Sequence, residues 1–267
     1  MRPYFVKTAL LAVGIALIHS SLSPAASAQV RRFDNRDYFH RYNSQDSLRT
    51  AKEIQEENNA LLRSLERPIT NSTPNRAGEI DLTVARQIYR GVKNHPVASL
   101  DHIYKYDPEG GIGFCFGRAM TVHLEALYRG VSNSAIKKLW ALGSLASGET
   151  SWRYHVTTLI KGPDTTWYAI DPIFPGVMTA EQWYQRMKGD FDHVNGKMKL
   201  YVTDASKFGP AGGKYHPMGL DDAIYNDYFD DLMKSYKENG HKPFSGPVLI
   251  EQGSSRQRKN RNTTRRR

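Results

Sequence analysis

The chain has 267 residues, a formal net charge of +10 and one cysteine. That length accommodates one good-sized core in one or two domains, and a lone cysteine excludes a disulfide framework within the chain. The basicity is local: residues 254–267 carry six arginines and one lysine with no acid, and without them the net charge is +3, so the charge belongs to an appendage rather than to a basic folded face.

In chain order, Arg2 and Lys7 precede an apolar run over residues 8–18, and small residues follow up to Ala26-Ser27-Ala28. The pattern predicts a secretory signal peptide cut after Ala28. The run is well short of the roughly 20 residues that span a bilayer, so no integral membrane segment is expected once the signal is removed. The mature protein is therefore expected to be secreted or periplasmic. Residues 29–76 read as a polar helical arm or pro-region: a helix over 47–65 with sparse apolar positions (Leu48, Ile54, Leu61, Leu62, Leu65) offers little core, and a linker of turn formers between Arg67 and Asn75 ends it. A catalytic-size domain over 77–253 and a disordered basic tail over 254–267 complete the organisation.

Asp81 reads as the N-cap of a helix over 82–93, because Val84, Ala85, Ile88 and Val92 recur at helical spacing. After a loop rich in glycine (Gly110, Gly111, Gly113), a second helix begins at Cys115 and runs to about Gly130, with Phe116, Met120, His123, Leu124 and Leu127 on one stripe. The period then shortens. Leu139 to Leu145 reads as a strand, and Tyr154 to Ile160 alternates as a second one. A turn at Lys161-Gly162-Pro163-Asp164 leads into a returning strand, Trp167 to Ile170, ended by Asp171-Pro172. A helical piece near 180–188, a short strand at 198–202, a Gly- and Pro-rich loop at 208–217 and a helix over 221–238 follow. Helices first and an antiparallel sheet afterwards make the class α+β.

An exported protein uses cysteines mostly in pairs, so an unpaired one points to a reactive thiol, an intermolecular bridge or a buried inert side chain. The position of Cys115 favours the first. A thiol attacks as thiolate, and the unsatisfied N–H groups of a helix N-terminus favour negative charge there and can line an oxyanion hole. A nucleophile needs a base, and the base an orienting acceptor. His155 and Asp171 fit those roles, because antiparallel pairing of their two strands brings them side by side. Each residue alone has an ordinary reading: a polar strand histidine, a strand-ending Asp-Pro. Their order around the only cysteine is what makes a Cys-His-Asp triad of Cys115, His155 and Asp171.

The strings Gly113-Phe114-Cys115-Phe116-Gly117-Arg118-Ala119 and Trp152-Arg153-Tyr154-His155-Val156, with Ile170-Asp171-Pro172 and Trp183, resemble the bacterial protein-glutaminase family. The resemblance spans residues 110–183. It implies a papain- and transglutaminase-like core, with the helix bearing Cys115 packed on an antiparallel sheet bearing His155 and Asp171. It implies deamidation of protein-bound glutamine through a thioester, on protein or peptide substrates. It also implies that residues 29–76 are an inhibitory pro-segment. The chain departs from the family in lacking a second cysteine for the disulfides of secreted members, and its flanks carry no further resemblance.

Gly113 and Phe114 before the thiol, and Trp152 and Tyr154 beside His155, are the candidate substrate-binding or wall residues. Arg118 reads as a loop anchor and His123 as a core histidine. No metal-ligand spacing or nucleotide-binding fingerprint occurs, so no cofactor or metal is expected. A transglutaminase or cysteine peptidase would use the same triad. A non-enzymatic reading makes the protein a surface binder that holds an anionic surface or polymer through the tail between Arg256 and Arg267.

Overall fold

The computed structural model describes residues 48–66, 78–207, 220 and 225–244. The expected signal segment, the linker after residue 66, the loop at 208–217 and the basic tail lie outside the described residues. Within them the chain is α+β: α1 (Ala51–Leu65), α2 (Leu82–Lys93), α3 (Cys115–Tyr128), β1 (Ile136–Ser147), β2 (Thr150–Lys161), β3 (Trp167–Ile170), β4 (Met178–Thr179), α4 (Ala180–Phe191), β5 (Lys199–Asp204) and α5 (Tyr228–Glu238).

The strands form one antiparallel sheet in the order β4-β3-β2-β1-β5. Its central strand pair is buried on both faces. Leu139, Ala141, Leu145 and Leu159 face Trp183 and Met187 of α4 and Leu62 of α1. Trp140, Leu142 and Val156 face Cys115 and Met120 of α3 and Leu232 of α5. The C-terminal half of α3, through Val122 and Ala126, shares a third cluster with Ile88 of α2 and with Ile136, Ile160 and Ile170. Burial on both faces explains the continuous apolar run of β1; β2 is as deeply buried, and it alternates because its buried positions include the polar His155 and Thr157, the latter donating from Oγ1 to Ile170 O at 3.0 Å.

The helix starts follow ordinary capping chemistry. Asp81 accepts from Val84 N at 2.8 Å, as its position predicts. Thr50 with Glu53 and Thr179 with Gln182 form capping boxes at α1 and α4.

Two sequence expectations change. The arm helix does contribute core: Ile54 and Leu62 are buried, and the buried Asn58 side chain donates to Met198 O and accepts from Leu200 N, both at 2.8 Å, stitching α1 to the start of β5. Trp167 Nε1 also donates to Leu65 O. Of the helix expected over 221–238, Leu220 just ahead of it is helical, residues 221–224 lie outside the described residues, and α5 begins at Tyr228. Asn226 and Asp227 sit in the left-handed region, with φ of 47° and 61°, where a helix cannot continue and where Asn and Asp are tolerated.

Candidate active site

The site begins with a strained turn. Gly113 has φ +77° and Phe114, which carries a bulky side chain, has φ +44°. Glycine takes that conformation freely, but a phenylalanine there is a steric outlier that its surroundings must enforce. They do so from two sides. The Asp107 carboxylate accepts from Ile112 N at 3.1 Å and from Gly113 N at 2.6 Å, pinning the loop. The Phe114 ring, wholly buried, stacks on Tyr228 at 4.3 Å and meets Tyr106 edge-on. Gly117 admits Tyr228, since a Cβ there would lie 2.5 Å from its ring. The turn delivers Cys115 as the first residue of α3, 7% exposed. The N–H groups of this first turn have no partner within the helix.

His155 and Asp171 meet at the end of β3. Pairing between β2 and β3 covers only Thr158 to Lys161 on β2, so His155 lies past the last residue of β3, where Asp171 leaves the sheet. His155 Nε2 donates to Asp171 Oδ2 at 2.7 Å. A carboxylate only accepts, so Nε2 carries a proton and Nδ1 is left for the thiol; Cys115 is near enough to act on the charge of the ring. Trp183 of α4 completes this arrangement. Its Nε1 donates to Asp171 Oδ2 at 2.8 Å, and its ring stacks on the imidazole with centroids 6.0 Å apart. The thiol comes from the α3 face of the sheet and the imidazole is backed from the α4 face, so the two meet at an edge that β3 leaves uncovered.

The electrostatics follow from burial and pairing. Burial by itself would push the His155 pKa down; the Asp171 carboxylate, by charge and hydrogen bond, and then Cys115 outweigh it and raise it to about 9. For Asp171, burial would raise the carboxyl, but His155, the Trp183 N–H and the Arg118 guanidinium hold it below the usual carboxylate range.

Each sequence candidate has a definite place. Cys115, His155 and Asp171 are brought together. Tyr154 packs against the cluster that contains Cys115. Gly113 is exposed beside it with open space where a Cβ would be. Phe114 is a buried wedge under the loop. Trp152 joins the cluster on the other face, with its ring edge-on to Phe191. Arg118 is buried behind the site and acts on Asp171 through space. His123 is held by Asn133 Oδ1 at 3.0 Å, with burial lowering its pKa to about 4, as befits a core histidine.

Asp107 and the hydrogen bond of Trp183 are additions that the sequence pattern does not reveal. An acid a few residues before a glycine run is the only signal for the first. The second spans elements with no common period. Lys138, wholly buried on β1, is a third: its Nζ donates to Lys207 O at 2.7 Å, and it lies within electrostatic range of Cys115.

Among the described residues no three His, Cys, Asp or Glu side chains gather as a metal site, and no helix is long and apolar enough to cross a membrane. No family model, curated protein or solved structure matches the chain.

Proposed function

We propose that the chain is an exported cysteine amidohydrolase with a papain- and transglutaminase-like core, which converts protein-bound glutamine to glutamate. The observation that carries the reading is the connected set at one sheet edge: the Cys115 thiol, the His155 ring between it and Asp171, and the Trp183 N–H fixing the carboxylate. The choice of a glutamine side chain as substrate rests on the resemblance of the 113–119 and 152–156 strings.

The chemistry runs in two halves. His155 Nδ1 takes the thiol proton, and the Cys115 sulfur attacks the carbonyl carbon of the side-chain amide. The oxyanion that forms lies at the N-terminus of α3, where first-turn N–H groups donate to it. His155 returns the proton to the nitrogen, the C–N bond breaks, and ammonia leaves a thioester on Cys115. Water then gives a proton to His155 and attacks the thioester; the C–S bond breaks, the thiolate is reprotonated and a glutamate side chain departs. Asp171 stays ionised and holds the ring through Nε2.

The test is peptide mapping of casein after incubation with residues 29–267 in heavy-oxygen water containing a primary amine. Deamidation places one heavy oxygen in new glutamate side chains. Amine adducts in their place would assign a transglutaminase, and labelled new C-termini a peptidase. An unchanged substrate map would remove the enzymatic reading and leave the surface-binding one.

A further inference from the structure

An edge strand presents N–H and C=O groups that a further strand can take up. Among the described residues the sheet has edges of unequal length: β4 has two residues and β5 six. Across the longer edge lies α1. The Asn58 side chain donates from Nδ2 to Met198 O and accepts at Oδ1 from Leu200 N, both at 2.8 Å. Residues two apart in a strand turn their backbone groups the same way, and an N–H given to α1 cannot also serve the ladder with β1, so both groups belong to the outward edge. One carboxamide thus stands in for the peptide group of a neighbouring strand. Val202, two residues on, turns its N–H and C=O outward in the same way. Glu57, the residue before Asn58, holds Lys199 of β5 at 3.5 Å.

We propose that α1 guards this edge and that the surface beneath it is a self-association site: when α1 is lifted, β5 pairs antiparallel with β5 of a second copy of the chain. The proposal goes beyond the catalytic reading and does not depend on it. The strand is self-complementary in that direction. Lys199 begins it and the exposed Asp204 ends it, so antiparallel pairing sets the lysine of each copy beside the aspartate end of the other, whereas parallel pairing sets like charge against like. Lifting α1 takes Glu57 away from Lys199 in the same movement that opens Leu200 N and Met198 O. It also bares Leu200, which is buried in one cluster with Leu62 of α1. A two-fold contact closes on itself, so the product is a dimer. The guard is held through one buried residue per turn, Ile54, Asn58 and Leu62, and the resemblance casts the arm that carries it as a removable segment.

Light scattering on residues 29–267, over a series of protein concentrations, tests this with the arm present throughout. The unsubstituted chain should be a monomer. Asn58→Asp combined with Leu62→Asp sets one charge against Met198 O and another into the cluster around Trp183; it should lift α1 and give a species of about twice the mass, favoured by higher concentration. Adding Val202→Pro should return that variant to the monomer, because proline removes an outward N–H and none that β1 uses. A dimer of the unsubstituted chain, a lifted variant that stays monomeric, or a dimer that survives Val202→Pro would each overturn the proposal; the last would assign association to the apolar surface that α1 leaves bare. If the double variant loses its near-ultraviolet circular dichroism and so fails to fold, Asn58→Ala decides. It keeps Ile54 and Leu62 and opens only the two backbone groups, and it must show a concentration-dependent dimer that Val202→Pro removes. Its absence would count equally against the proposal.

Discussion

At the scale of single residues, the buried His155–Asp171 pair ties stability to pH with a definite sign. The His155 pKa is raised above its unfolded value of 6.5 to about 9, so the pairing stabilises the fold in full below about pH 6.5 and is lost as pH rises through about 9. Asp171 works the other way: its carboxyl is lowered, so its contribution is present above the unfolded value of 3.8 and fades as pH falls below it. Melting temperatures measured across pH should therefore decline between about 6.5 and 9, and that decline should be missing in His155→Gln. Trp183→Phe keeps the ring on the imidazole but removes the donor to Asp171. It should cost about 1.5–3 kcal/mol of stability, as expected for a hydrogen bond to a charged group, and should slow iodoacetamide labelling of Cys115. A variant with normal labelling would show that the Trp183 N–H does not organise the site. At Gly117 two effects compete. Alanine gains about 1 kcal/mol in helix propensity, but its Cβ would sit 2.5 Å from the Tyr228 ring, and overpacking costs about 1–3 kcal/mol. Tyr228 is wholly buried and stacked on Phe114, so it cannot yield cheaply. Gly117→Ala should destabilise the protein in a denaturant titration and disturb the thiol loop with it.

At the scale of elements, α2, α3 and the β1–β2–β3 meander are legible because their buried faces carry apolar residues at regular spacing. The juxtaposition of His155 and Asp171 was legible for a related reason: antiparallel return after a short turn brings residues 155 and 171 to the same end of the hairpin. The contribution of α1 to the core was hidden. Its inward positions are Ile54, Asn58 and Leu62, one per turn, and the central one is polar, so counting apolar residues undervalues the stripe. Only tertiary structure supplies the partners of Asn58, the backbone groups of Met198 and Leu200 that lie far along the chain. The left-handed break at Asn226-Asp227 was equally hidden, since both residues are common inside polar helix surfaces and nothing local forces φ positive. The packing of α1 bears on the expected pro-segment. Its removal would expose Leu62 and its neighbours and leave the Met198 carbonyl and Leu200 amide short of partners. A protein beginning at residue 77 should melt well below one beginning at residue 29, and Asn58→Ala should lose about 1–3 kcal/mol for the orphaned backbone groups. An unchanged melt after truncation would show that α1 is a dispensable cover.

At the scale of the whole molecule, the sheet separates two layers of helix, and the site forms where their contributions meet beyond the end of β3. The thiol and its loop depend on α3 and α5, while the imidazole, the carboxylate and the indole N–H depend on β2, the end of β3 and α4. The sequence sets the basic tail apart from the residues of the site, so deleting residues 254–267 should abolish retention on heparin or anionic vesicles while sparing turnover. The central claim, that Cys115 attacks a glutamine side-chain amide with His155 and Asp171 behind it, is tested most directly by ammonia release from casein. The account predicts steady release by residues 29–267, none above background with Cys115→Ala, and a rate lower by roughly a hundredfold or more with Asp171→Asn, in line with the loss of general acid–base catalysis. Release that persists in Cys115→Ala, or no release from the intact protein, would contradict it.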